Sequence, residues 1–122
     1  TRLAPRPFEP LGGMPGNRPV VTWEVAEDEA FTRVLRSGRY TAAPELGYSV
    51  HVEVNGLQAD RWYFYRFQVG EVVSPVGRVR TTPADGTIRP LRFGVASCAN
   101  YEQGLFTAYE QLALERCDLV TH

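Results

Sequence analysis

The chain has 122 residues, of which 13 are basic and 14 acidic, giving a formal charge of −1. That balance leaves no basic excess to neutralise phosphate backbones, so ordinary electrostatic binding of nucleic acid is excluded. No apolar run approaches the ~20 residues needed to span a bilayer, and a composition with 43% hydrophobic and 22% charged residues suits a globular domain. The length fits one ordinary domain, or one small domain with part of another. All 13 basic residues are Arg and lie scattered along the chain, a compositional bias more than a specific device. Glycine and proline are frequent, as short strands joined by turns require. Two cysteines are too few for a disulfide framework, and residues 1–10 carry no apolar signal-peptide core.

The first twenty residues are rich in Pro and Gly, which excludes a regular helix or a central strand. They are expected to wrap over a core as a loop anchored by Leu3, Phe8 and Leu11. From Val20 the pattern changes: Val21, Trp23 and Val25 alternate with Thr22 and Glu24, the signature of a half-buried strand. Phe31–Arg36 reads as a second strand, with Ser37-Gly38 turning the chain into Arg39–Ala42. Tyr48–Val54 alternates most cleanly, with Ser49, His51 and Glu53 on its polar face, and Asn55-Gly56 ends it. His51 therefore reads as a surface residue.

Leu57 followed by a turn and then by Tyr63 at a strand start resembles a tyrosine corner, in which the phenol closes the turn onto upstream backbone. Trp62–Val69 is the next strand, expected to face Tyr63, Tyr65, Phe67 and Val69 inward. Ser74–Thr82 closes the sheet and stops at Pro83. About six short antiparallel strands at regular spacing predict a mostly β unit over residues 1–83, an immunoglobulin or fibronectin III-like sandwich. Trp62 and Phe64 fall on its outer face, so they need a cover: either a neighbouring domain or the Pro-rich N-terminal segment.

Residues 84–90 form a linker by composition, and residues 91–122 then take a βαβ rhythm. Leu91–Ser97 is a strand. Leu105–Arg116 is a helix with Phe106, Tyr109, Leu112 and Ala113 as one apolar stripe, and Asp118–His122 begins a second strand. A strand, a helix and half a strand cannot bury their own hydrophobic faces, so this tail reads as the start of a larger α/β domain.

Ligands bind at the carboxyl ends of the strands in such sheets. Cys98 sits there, and the residue type admits a nucleophile, a metal ligand or plain packing. Cys117 precedes the next strand, at the opposite end, so a disulfide between the two is not expected. His122 ends that second strand as a residue behind a metal ligand or as core packing, while Asn100 and Tyr101 shape the loop or reach a ligand. Glu102 reads as a solvated loop carboxylate. Gly104 stands alone, so no phosphate-cradling glycine loop is present, and no Ser-His-Asp set, CxxC or HExxH occurs.

The order of these features resembles the PhoD-like alkaline phosphatases, the alkaline phosphatase D/phospholipase D family. The matching residues include Thr1–Pro5, Val21–Ala26, Ser49–Val52, Trp62–Phe67, Ser74–Arg78 and Phe93–Cys98, with Asn100, Tyr101 and Gly104 behind them. The resemblance implies an N-terminal sandwich whose first strand is partly missing here. It further implies the opening of a calcineurin-like metallophosphoesterase domain, truncated at residue 122. By that resemblance the parent is an exported phosphomonoesterase or phosphodiesterase with a twin-arginine signal, acting on a phosphate-ester substrate through a metal-activated water. The implied cofactors are Fe(3+) and Ca(2+), with Cys98 of the Ser97-Cys98 motif as an iron ligand. The remaining ligands are implied to follow His122, in a phosphatase domain that packs on this fragment, so the fragment alone is expected to be inactive. Purple acid phosphatases share the domain order, but their first strand ends in an Asp-based motif where this one ends Ser97-Cys98. The rival reading is a fibronectin III-like binding or structural module.

Overall fold

The computed structural model of the chain describes residues 1–100, 102 and 104–122. It divides into two compact units, Thr1–Pro83 and Ala84–His122. The first unit is built on one five-stranded antiparallel sheet of β1 (Val20–Ala26), β2 (Val34–Thr41), β3 (Trp62–Val69), β4 (Val72–Val73) and β5 (Gly77–Arg80). The strands order as β2-β1-β3-β4, and β5 pairs with the other half of β3. The register sets Trp23 opposite Phe67 and Val25 opposite Tyr65, so the alternating apolar positions of neighbouring strands fall on one inner face. Val21, Ala42, Tyr48 and Val50 form the fully buried cluster there, with Leu3, Met14, Phe67 and Val69 packed around it.

The second layer over that face is not a second ladder. Tyr48–Val54 keeps the expected alternation of burial, with Tyr48 and Val50 buried and His51 and Glu53 exposed. It lacks the continuous strand pairing that its sequence predicts: its backbone bonds go to the first residues of the chain and to the turn just before it, where Tyr48 N–H donates to the Ala43 carbonyl and Ser49 N–H to that of Leu46, both at 3.0 Å. Leu3 N–H donates to the Tyr48 carbonyl at 3.1 Å and Val50 N–H to that of Thr1 at 2.8 Å. Alternation reports which side chains are buried; a ladder also needs a neighbouring backbone of matching length.

Three other expectations are corrected. Phe31–Arg36 is not a strand from its start. Asp28 accepts hydrogen bonds from the amides of Thr32 (3.0 Å) and Arg33 (2.9 Å), and the loop they pin carries Phe31 at φ +55°. Those amides, Thr32 first, hold the Asp28 carboxyl below its ordinary range. Ser37-Gly38 is not a turn but the middle of β2. Gly38 lies opposite Trp23, and a Cβ on it would come within 2.6 Å of the indole, so the residue is a slot for the ring. In the N-terminal segment Leu3 packs on the core as expected, but Phe8 is 85% exposed and Leu11 46%. Met14 takes the anchoring place beside Leu3.

Part of the cover on the outer face is arginine. The Arg78 guanidinium lies 4.4 Å from the Trp62 ring centre and that of Arg80 5.6 Å, while Arg66 sits 4.1 Å over Phe31 and bonds Glu24 at 2.7 Å. On the inner side Tyr63 is buried, and its hydroxyl accepts from the Gln58 amide at 2.9 Å. Leu57 is half-buried just upstream. If this phenol closes the corner, Tyr63→Phe should lower the unfolding free energy by about 1 kcal/mol, since the Gln58 amide loses its partner. Urea denaturation of the chain measures this, and an unchanged midpoint would remove Tyr63 from that role.

The second unit pairs β6 (Phe93–Val95) and β7 (Leu119–Thr121) in parallel, joined through α1 (Thr107–Leu114). The helix is shorter than its periodicity suggests at both ends. Phe106, at φ +55°, and Arg116, at φ +50°, leave the right-handed region and bound it. Of the stripe, Tyr109 and Leu112 are half-buried, while Phe106 and Ala113 are exposed.

Candidate functional site

A cavity of about 620 Å³ lies in the first unit between the inner sheet face and the extended segment. Trp23, Val25, Val52, Leu57, Phe67 and Val79 contribute to its walls. The lining is mainly apolar, though Glu24, His51, Arg66 and Arg80 also contribute to it, Glu24 and Arg66 as an ion pair at 2.7 Å. The strand-end residues singled out in the sequence, Cys98 and His122, lie at the carboxyl end of the parallel pair in the second unit.

Close packing sets that end. Gly94, buried at the centre of β6, lets α1 approach: an added Cβ would stand 2.6 Å from Leu112 and 3.1 Å from the Cys117 sulfur. Cys117 is thus part of the seam between strand and helix, and it is half-buried. At the opposite, amino end Asp118 ties the start of β7 to the incoming chain. Its carboxylate accepts from the Arg92 amide at 3.0 Å and pairs with the Arg89 guanidinium at 3.2 Å. Both ion-pair partners are about four-fifths buried.

Cys98 lies three residues past β6, exposed, at φ +55°. A non-glycine residue there carries about 1–3 kcal/mol of backbone strain that its surroundings must offset. Val95 of β6 is in register with Thr121 of β7, so His122 leaves the sheet at the same edge as Cys98. Asn100 shapes the following loop: its Oδ1 accepts from the Glu102 amide at 2.9 Å. Tyr101 lies outside the described residues. A cavity of about 460 Å³ opens at this edge, lined among others by Ser97, Asn100, Thr107 and Tyr109.

Sequence reading missed one partner here. Tyr109 counts toward the apolar stripe of α1, yet its hydroxyl meets His122 Nε2 at 2.7 Å. The two rings are 5.8 Å apart, and Phe106 stacks on Tyr109 at 5.9 Å. No spacing rule pairs a helical Tyr with a residue beyond the following strand; only the crossover brings them together.

An iron and calcium centre needs several thiolate, phenolate, imidazole or carboxylate donors. Among the described residues no three His, Cys, Asp or Glu side chains group to hold a cation. Cys98 is an exposed free thiol, and the described residues do not amount to a centre. No helix among the described residues is long and apolar enough to cross a membrane.

Comparison with known proteins adds three findings. The family model for the N-terminal domain of PhoD-like phosphatases matches residues 1–83. The chain is 49% identical over 123 aligned positions to alkaline phosphatase D of Bacillus subtilis (strain 168), covering 100% of this chain and 21% of that protein. It also superposes on a solved structure of PhoD with a TM-score of 0.92 at 49% identity, covering 98% of this chain and 23% of that one. The chain therefore spans about a fifth of the length of the relatives it matches.

Proposed function

The chain belongs to the PhoD-like phosphatase family, and we propose that it is the N-terminal portion of a metal-dependent phosphoesterase acting on phosphate monoesters or diesters. One observation carries the reading: identity at 49% runs the whole chain, through the second unit with its strand-end Cys98, not only through residues 1–83. The exposed apolar strands support a larger domain around that unit. Phe93, Val95, Leu119 and Val120 are each at least half exposed, surface that an α/β domain of calcineurin type would cover.

In this reading residues 1–83 are a sandwich-type accessory unit, and Cys98 is one iron ligand whose partners lie in the rest of the phosphatase domain. Iron with calcium would supply Lewis acidity and an activated water. This chain contributes the thiol at the strand end, the loop held by Asn100, and the Tyr109–His122 pair beside it. Export through a twin-arginine signal belongs to the same proposal. A purely adhesive module is the weaker alternative, since it has no use for a second unit with an exposed strand-end thiol.

The parent protein tests the proposal. It should hydrolyse a chromogenic phosphomonoester or diester, lose that activity after exhaustive chelation, and regain it with iron and calcium. A well-folded parent inert toward both ester classes under every metal condition would sink the reading.

A further inference from the structure

We infer that Tyr109 is the positioning residue of His122, fixing its imidazole as a hydrogen-bond donor for the anionic phosphoryl group of the substrate. The inference rests on the phosphoesterase reading above. His122 is exposed at the end of β7, where an unsupported imidazole would sample several rotamers. Tyr109 removes that freedom with a 2.7 Å bond to Nε2. The phenol is itself held, being half-buried on α1 with its ring stacked on Phe106 at an interplanar angle of 28°. The bond spans 13 residues of sequence, linking the helix to the far end of the strand that follows it.

The chemistry of the pair gives the bond its direction. A phenol is a better hydrogen-bond donor than a neutral imidazole N–H, and an imidazole nitrogen is a better acceptor than a phenol oxygen. Tyr109 O–H therefore donates to Nε2, and the ring proton resides on Nδ1. That is the reverse of the tautomer a free histidine side chain prefers. A neutral imidazole locked with Nδ1–H is a fixed donor, which a phosphoryl oxygen gaining charge can accept from without reorganisation. His122 leaves the sheet at the same edge as Cys98, and the phenol that holds it, not the imidazole itself, lines the cavity that opens there.

The test has two readouts. In the 122-residue chain labelled with nitrogen-15 histidine, only His51 and His122 contribute, and His51→Gln assigns them. At alkaline pH the long-range proton–nitrogen pattern of His122 should be that of the Nδ1–H tautomer, and Tyr109→Phe should return it toward Nε2–H. A wild-type His122 carrying its proton on Nε2 overturns the inference without any variant having to fold. In the parent enzyme Tyr109→Phe and His122→Asn should each lower kcat/KM by about tenfold or more, the range for losing a supporting partner. The double variant should fall no further than the worse single one. Unchanged kcat/KM in Tyr109→Phe, or losses that multiply, would overturn the positioning role. A parent without hydrolysis overturns the phosphoesterase reading and with it the phosphoryl role, while the tautomer pattern still judges the Tyr109–His122 bond.

Discussion

In the iron phosphoesterase proposed above, replacing Cys98 by Ser is expected to strip the iron and lower the hydrolytic rate by at least 10–100-fold, since loss of even a residue behind a ligand commonly costs that much. The same change at Cys117 should leave iron and rate intact. The contrast follows from where the two thiols sit. Cys98 is exposed at the edge where parallel strands present ligands, on a backbone twisted to φ +55°. Cys117 is half-buried, close enough to Gly94 that a Cβ there would stand 3.1 Å from its sulfur. A hydroxyl at position 117 should cost only modest stability. Metal analysis and initial rates on both variants decide the matter. Full iron in Cys98→Ser, or loss confined to Cys117→Ser, would move the ligand assignment elsewhere.

The second large effect is a silence. The 122-residue chain, folded and supplied with iron and calcium, should show no turnover of a phosphomonoester or a phosphodiester above a Cys98→Ala control. One thiol cannot hold a metal pair, and no other ionisable side chains group for the purpose among the described residues. Metal-dependent turnover that disappears in Cys98→Ala would mean that this chain already assembles a working site.

Much of the architecture was legible because it depends on local period. β1 and β3 carry strict alternation with large apolar residues, and β3 begins and ends where the sequence places it. The parallel pair around α1 was legible for the same reason, though with shorter elements. The misreadings arise where two physical causes leave the same trace. A glycine beside a serine signals a turn, but it also marks a strand position crossed by a large ring, and Gly38 is the second case. Alternation in Tyr48–Val54 records burial truly while saying nothing of a partner backbone.

The site was legible only in part. Cys98 could be placed at a strand end from the βαβ rhythm, and its proposed ligand role came from resemblance. Tyr109 could not be found, because its hydroxyl meets a residue across a crossover. Asp118 was likewise invisible, since its links to Arg89 and Arg92 depend on where the linker returns.

The indole resting in the Gly38 slot makes two positions a single unit of inheritance. With Trp23 in place, any side chain at position 38 collides with the ring, so drift there is closed. Once the ring is replaced by a small residue, the same position opens to β-branched side chains, which strands favour. Each change alone is harmful, one through collision and the other through an unfilled space on the inner sheet face. Lineages can therefore cross between the two solutions only by a paired exchange, and bulk summed over positions 23 and 38 should vary less than bulk at either one.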